Sequence, residues 1–260
     1  MSDDAAPKWT PVAAPPDLDP AAVVPAIPAA TTVLLRDGEA GLEVLLVRRN
    51  AKLNFAGGMW VFPGGRLDPA DYVGGMPEGA STADASDPAA AELFTDAARR
   101  AARREAHEEV DLDVDDTALV WFSHWTPPSM AKKRFATWFF AGHAPRGTVT
   151  VDGGEIHDHV WMKPGDALAR RNRDELELGP PTWITLEQLT PFTTADDALR
   201  TFRAAGPEYF QTQIAMLDGG AVALYHGDAA LRDPVHIDPD REGPRHRLWI
   251  LGDGWRYERT

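Results

Sequence analysis

Three glutamates constrain this chain more than any other feature. Glu105, Glu108 and Glu109 stand at i, i+3 and i+4 in the run Arg104-Glu105-Ala106-His107-Glu108-Glu109. That run ends the strongest helical pattern of the chain, Ala89 to Val110, which is rich in Ala, Arg, Glu and Leu. On a helix these spacings put all three carboxylates on one face, where like charges repel. Arg104 offsets Glu108 at i+4 and leaves about two negative charges uncompensated. Two readings stand side by side. One is a solvated acidic helix face; the other is a site for a hard divalent cation, which prefers carboxylate oxygens.

A second feature lies upstream. Phe55 to Asp68 holds four glycines and a proline in fourteen residues around a short strand expected at Met59 to Phe62. After Phe62-Pro63, the pair Gly64-Gly65 lets backbone groups approach an ion or a phosphate closely. An ordinary Pro-Gly turn is the plainer reading of the same residues.

Charge narrows the function classes. The chain has 260 residues, with 26 Lys and Arg against 40 Asp and Glu, a net charge of −14. Nucleic-acid binders carry a basic footprint and polybasic membrane anchors need clustered cations. Neither nucleic acid nor membrane is therefore expected as a partner. There is no cysteine, which removes disulfides, thiolate metal sites and cysteine nucleophiles. The acidic start Ser2-Asp3-Asp4 does not resemble a signal peptide. The uncharged stretch Pro20 to Leu35 is short and cut by Pro25 and Pro28, so it does not read as a membrane span. The expectation is a cytoplasmic protein.

Along the chain, residues 1–27 are Pro- and Ala-rich without periodicity and read as a flexible leader. Ala30 to Leu35 and Leu42 to Val47 read as a hairpin turning at Asp37-Gly38. Residues 69–87 read as a polar surface loop, and Asp87-Pro88 as a helix start. The helix should break near Thr95 and bury Leu93, Ala97, Ala101 and Ala102. Strands are expected at Ala118 to Trp125, Arg134 to Ala141 and Ile156 to Met162, and a short helix from Pro164. Thr185 is expected to cap Leu186 to Leu189, with helices over Asp196 to Ala205 and Pro207 to Leu217. Strands return at Ala221 to Tyr225, Arg247 to Leu251 and Trp255 to Tyr257. The order is mixed β with a few helices, an α+β class.

Together, Phe62-Pro63-Gly64-Gly65 and Arg104-Glu105-Ala106-His107-Glu108-Glu109 resemble the box of the Nudix hydrolase superfamily. Its pattern is Gly, five residues, Glu, seven residues, then Arg-Glu-apolar-x-Glu-Glu-x-Gly-apolar. Leu112 stands at the final apolar place, and Asp111 replaces the last Gly. Asp tolerates the positive φ needed there. Asp96, eight residues before Arg104, stands at the mid-box Glu, which places an insertion at about 66–95. Leu45-Leu46-Val47-Arg48-Arg49-Asn50-Ala51, leading to Gly58 and Phe62-Pro63-Gly64-Gly65, is similar to the peroxisomal coenzyme A diphosphatase branch. That branch also has a long loop inside the box. Its signature expects an arginine midway, and Lys52 to Gly57 offers none in register.

The resemblance implies a Nudix-type α/β/α sandwich with a mixed curved sheet. Residues 28–260 would form one such domain, with a helical and strand extension from about 190. It implies Mg²⁺ or Mn²⁺ as cofactor, with Glu105, Glu108 and Glu109 as metal ligands and the Gly65 backbone completing the shell. Glu105 would also act as general base, with Arg104 orienting it. The stretch Gly154-Glu155-Ile156-His157-Asp158-His159 resembles the one that often supplies a distal carboxylate, with Glu155 favoured over Asp158. Arg49, Gly64 and Arg66 would meet the substrate. The implied reaction is hydrolysis of a diphosphate linkage in a nucleoside diphosphate derivative, coenzyme A or its thioesters leading. An ADP-ribose or dinucleotide pyrophosphatase and a catalytically silent nucleotide-binding module are the alternatives. Oligomeric state is left open, a homodimer being allowed.

Overall fold

The structure is a computed structural model and describes residues 24–53, 56–75, 91–252 and 254–260. The expected leader up to residue 23, the 76–87 part of the polar loop and the helix start at Asp87-Pro88 lie outside the described residues. The chain divides into two compact units. The larger holds 26–125 and 135–208; among the described residues the smaller holds 24–25, 126–134 and 209–260.

The larger unit is built on a mixed sheet. Strands β1 (Ile27–Gly38) and β2 (Gly41–Arg49) form the expected hairpin, in register from Leu35 opposite Val44 to Gly38 opposite Gly41. The turn falls at Glu39-Ala40 rather than at Asp37-Gly38, because Gly41, at φ 113°, takes the positive dihedral that reverses the chain. Short β3 (Trp60–Val61) extends the sheet beside β2. The next residues, expected as loop, form β4 (Gly64–Arg66) on Ala29–Thr31 of β1. β5 (Val120–Thr126) and β6 (Phe135–His143) lie on the other side of β1, with β6 parallel to β1, and β7 (Ile156–Met162) pairs antiparallel with β2.

Helices cover both faces. α1 (Thr95–Val110) follows a 3-10 turn at Glu92–Phe94, which is the break expected near Thr95. Alternate residues of a strand point to opposite faces. Accordingly Trp138 packs on Phe94 with ring centroids 5.7 Å apart, and Phe140 lies under Arg99 of α1. Phe139, between them, points the other way to Phe122, which stacks on Phe202 at 4.5 Å. Phe202 belongs to α4 (Ala195–Ala205), beyond α2 (Pro164–Asn172) and α3 (Pro180–Leu189). The unit is thus an α/β/α sandwich of α+β class.

Local expectations need three corrections. Leu93 is 55% exposed and Phe94 is fully buried, because the 3-10 turn rotates the helical stripe by one residue. Thr185 lies buried inside α3, which starts five residues earlier with Pro180 at its first position. Residues 207–217 are strands, β8 (Glu208–Gln211) and β9 (Gln213–Leu217), not a helix. β9 turns through Asp218-Gly219, with Gly219 at φ 88°, onto β10 (Gly220–Leu224), and the hairpin outweighs helical propensity.

In the smaller unit, β9 and β10 continue into β11 (His246–Leu251) and β12 (Gly254–Arg259), an antiparallel sheet in the order β12-β11-β10-β9. Its core joins Leu217, Val222, Leu224, Ala230, Ile237 and Trp249. The fully buried Arg247 donates from Nε and Nη2 to the two oxygens of Asp228, a bidentate pair. Among the described residues no helix is long and apolar enough to cross a membrane.

Candidate active site

The site starts at the end of α1. Ala97, Ala98, Ala101, Ala102 and Ala106 are buried and bring the helix backbone close to the sheet; Thr32 Oγ1 of β1 donates to Ala102 O at 3.0 Å. One heptad on, the same face carries Glu105, Glu108 and Glu109, seven residues after Ala98, Ala101 and Ala102. Asp111 closes the helix in the left-handed region at φ 55°, ψ 40°, its N–H bonding to His107 O at 3.0 Å. The carbonyls of Glu109 and Val110 accept from Asp152 and Thr150, so the helix end is fastened to the loop before β7.

β4 supplies the wall facing the glutamates. The Gly64 N–H donates to Glu109 Oε2 at 2.9 Å. A Cβ at Gly65 would overlap the Glu105 carboxylate, and one at Gly64 would overlap Ala30 O and Thr31. Gly64 therefore requires glycine by contact with backbone, while a side chain at Gly65 would displace the Glu105 carboxylate.

The carboxylates differ in environment. Glu109 is 4% exposed, and its pKa is pushed up to about 8. Burial is the main cause, the Glu105 and Glu155 charges add to it, and the Gly64 N–H and Arg49 oppose it. Glu105 is also raised, by burial first and by Glu108 and Glu155, against the neighbouring Arg104. The Glu108 side chain is 56% exposed.

Two arginines hold these groups. Arg104 Nη1 reaches Glu105 Oε1 at 2.7 Å and Glu108 Oε2 at 3.0 Å. Its Nη2 donates to Arg66 O and to Asp71 Oδ2, both at 3.0 Å. Burial works against the Arg104 charge, yet hydrogen bonds and the fields of Asp71 and Glu105 hold its pKa above the ordinary value. Arg49, at the end of β2, puts Nη2 3.1 Å from Glu155 Oε2 and Nη1 3.8 Å from Glu109 Oε1. Its Nε is buried without a hydrogen-bond partner.

The structure thus gathers Arg49, Gly64, Gly65, Arg104, Glu105, Glu108, Glu109 and Glu155 around one wall. Arg66 joins through its carbonyl; its side chain is 72% exposed and turns to Asp68. Trp125, Trp138 and Phe139 are buried core residues. Among the described residues no three acidic or histidine side chains converge into a ready cage for an ion. Here each carboxylate is turned to an arginine or a backbone N–H.

Asp71 is the residue that sequence reasoning missed. Asp96 does not hold Arg104; Asp71 does, 33 residues away along the chain and buried. The signal was available: Gly65 and Asp71 have five residues between them, the spacing of the box, with Asp in place of Glu.

The donor set suits a hard divalent cation. The donors are carboxylate oxygens.

A family model for the NUDIX domain matches residues 26–184, more than half of the chain. None of the curated proteins compared with the chain matches it. Among solved structures, a NUDIX hydrolase from Alicyclobacillus acidocaldarius is 24% identical, with 68% of this chain and 96% of that chain covered and a TM-score of 0.56. The NUDIX domain of Shewanella oneidensis NrtR, complexed with ADP ribose, is 16% identical over 66% and 90%, with a TM-score of 0.44. A MutT NUDIX hydrolase from Burkholderia pseudomallei is 20% identical over 64% and 100%, with a TM-score of 0.43. The likeness to the first is one of fold.

Proposed function

Because the chain belongs to the Nudix family and is a Nudix hydrolase, we propose that it hydrolyses the diphosphate linkage of a nucleoside diphosphate derivative with Mg²⁺ or Mn²⁺. The observation that carries this reading is the buried Glu109, with Gly64 N–H on one oxygen, beside Glu105 against the glycine wall.

Glu105, Glu108 and Glu109 would hold the cation, with Glu155 as the distal carboxylate. When bound, the cation neutralises diphosphate charge and lowers the pKa of a bound water. Glu105 would take the proton of the attacking water. Arg104 keeps Glu105 in place through the 2.7 Å contact. Arg49, whose side chain is 17% exposed, would offer its guanidinium to a substrate phosphate oxygen.

Coenzyme A or an acyl-coenzyme A is the substrate we favour. Support comes from the run Leu45 to Ala51, Gly58 and Phe62 to Gly65, and from the long separation of Asp71 and Arg104. We place the insertion after Asp71, up to about residue 95. ADP-ribose or a dinucleotide is the second reading, since the glutamate face recognises only the diphosphate. Incubating the protein with a panel of diphosphates and Mg²⁺ or Mn²⁺, and weighing the products, tests the choice. Preferential cleavage of coenzyme A supports it; preference for ADP-ribose or a dinucleotide overturns it.

A further inference from the structure

The loop that carries Glu155 is clamped from two sides. The Asp152 carboxylate accepts three consecutive backbone N–H groups: Oδ2 from Gly154 at 3.1 Å and Glu155 at 2.8 Å, and Oδ1 from Ile156 at 2.8 Å. The backbone of Asp152 itself is tied to the glutamate helix, its N–H donating to Glu109 O at 3.2 Å. From the sheet side, Asn50 donates its backbone N–H to Glu155 O at 2.7 Å and its Nδ2 to Gly154 O at 2.9 Å. Both backbone groups of Glu155 are therefore fixed. Its side chain stays 61% exposed and meets Arg49.

We propose that Asp152 is a positioning residue that sets the Glu155 carboxylate at a fixed distance from the glutamates of α1. The inference rests on the reading of Glu155 as the distal carboxylate of the cation site. Gly153 and Gly154 precede Glu155, and a two-glycine segment has wide backbone freedom unless something restrains it. Charge-assisted hydrogen bonds from a carboxylate to three N–H groups supply that restraint. Because Asp152 N–H is bonded to Glu109 O, loop and helix end keep their spacing together. A ligand group raises ion affinity only while it is held in reach, and loss of such outer support typically costs about 10- to 100-fold.

The test is a double-mutant cycle on the full chain. Mn²⁺ affinity is measured by calorimetry and by the electron paramagnetic signal of free Mn²⁺, for wild type, Asp152→Asn, Glu155→Gln and the double variant. Asp152→Asn puts an NH₂ where Oδ2 or Oδ1 accepted. Each single variant should weaken Mn²⁺ binding about tenfold, and the double variant should be no weaker than Glu155→Gln alone. Should Asp152→Asn fail to fold, Asn50→Ala frees the same loop from the sheet side and must show the same non-additivity. If Glu155→Gln weakens binding while the loop variants do not, or if the two losses multiply, the positioning role is overturned and Glu155 stands. If Glu155→Gln leaves Mn²⁺ affinity unchanged, the reading of Glu155 falls and the inference falls with it.

Discussion

Arg104 rests on Asp71: its Nη2 lies 3.0 Å from Asp71 Oδ2, and the Asp71 side chain is 6% exposed. One guanidinium thus joins the turn after the glycine wall to α1, and Glu105 is placed by that joint. Asp71→Asn should reduce kcat about 10- to 100-fold through loss of that support. It should also destabilise the fold by about 3 kcal/mol, the low end for breaking a buried pair. Asp96→Asn should change neither by more than a small factor. Steady-state kinetics and urea unfolding of the two variants check this.

Gly65→Ala should cut activity at least about tenfold while leaving the protein folded, since the added Cβ meets only the Glu105 carboxylate. Gly64→Ala meets backbone, the Ala30 carbonyl, and should cost stability as well. Circular dichroism melts beside the activity measurement separate the two cases.

Glu109 makes a pH prediction for the protein without divalent cation. Its carboxyl titrates near 4.5 when unfolded and at about 8 when folded. Between those values the folded state binds one proton more than the unfolded state, so stability is highest below pH 4.5 and falls as pH rises to about 8. With a chelator present, the melting midpoint should drop by roughly 5 °C or more from pH 5.5 to pH 8.5 on this group's account. Glu109→Gln should flatten that slope, and Mg²⁺ or Mn²⁺ at pH 8.5 should raise the wild-type midpoint. A wild-type slope equal to that of Glu109→Gln would contradict the raised pKa.

In the smaller unit, Asp228 and Arg247 are both fully buried and bidentate. Removing one partner leaves a buried uncompensated charge, so Asp228→Asn should destabilise this unit by about 3–5 kcal/mol. Burial opposes the Asp228 charge, but Arg247 and two backbone N–H groups hold its pKa below the ordinary value. Its contribution is present above the unfolded carboxylate pKa and is lost as pH falls through the lower folded value. Hydrogen exchange along β10 and β11 should report the loss in Asp228→Asn.

Much of the fold was legible where one local pattern acts alone. The hairpin of β1 and β2, the break at Thr95 and the left-handed Asp111 cap follow from periodicity and dihedral preference. The helix expected over 207–217 failed because strand pairing with β10 decides that segment. β4 was read as loop because its two glycines have no strand propensity; contact with β1 makes it a strand. At the site, spacing put the three glutamates on one helix face, where the structure keeps them. Asp71 carried a signal too, five residues separating it from Gly65, but the 32 residues between it and Arg104 masked the pairing. The Asp152 clamp was hidden likewise, since a carboxylate that binds backbone leaves no spacing signature.

Diphosphate hydrolysis by the glutamate face of α1 can be followed directly in isotope-labelled water. Wild type, Glu108→Gln and Glu109→Gln are incubated with coenzyme A and Mg²⁺ in ¹⁸O-labelled water, and the products are weighed. Wild type should yield an adenosine bisphosphate and a phosphopantetheine, one of them carrying ¹⁸O, and each variant should be slowed at least about 100-fold. Undiminished cleavage by the folded variants would contradict it.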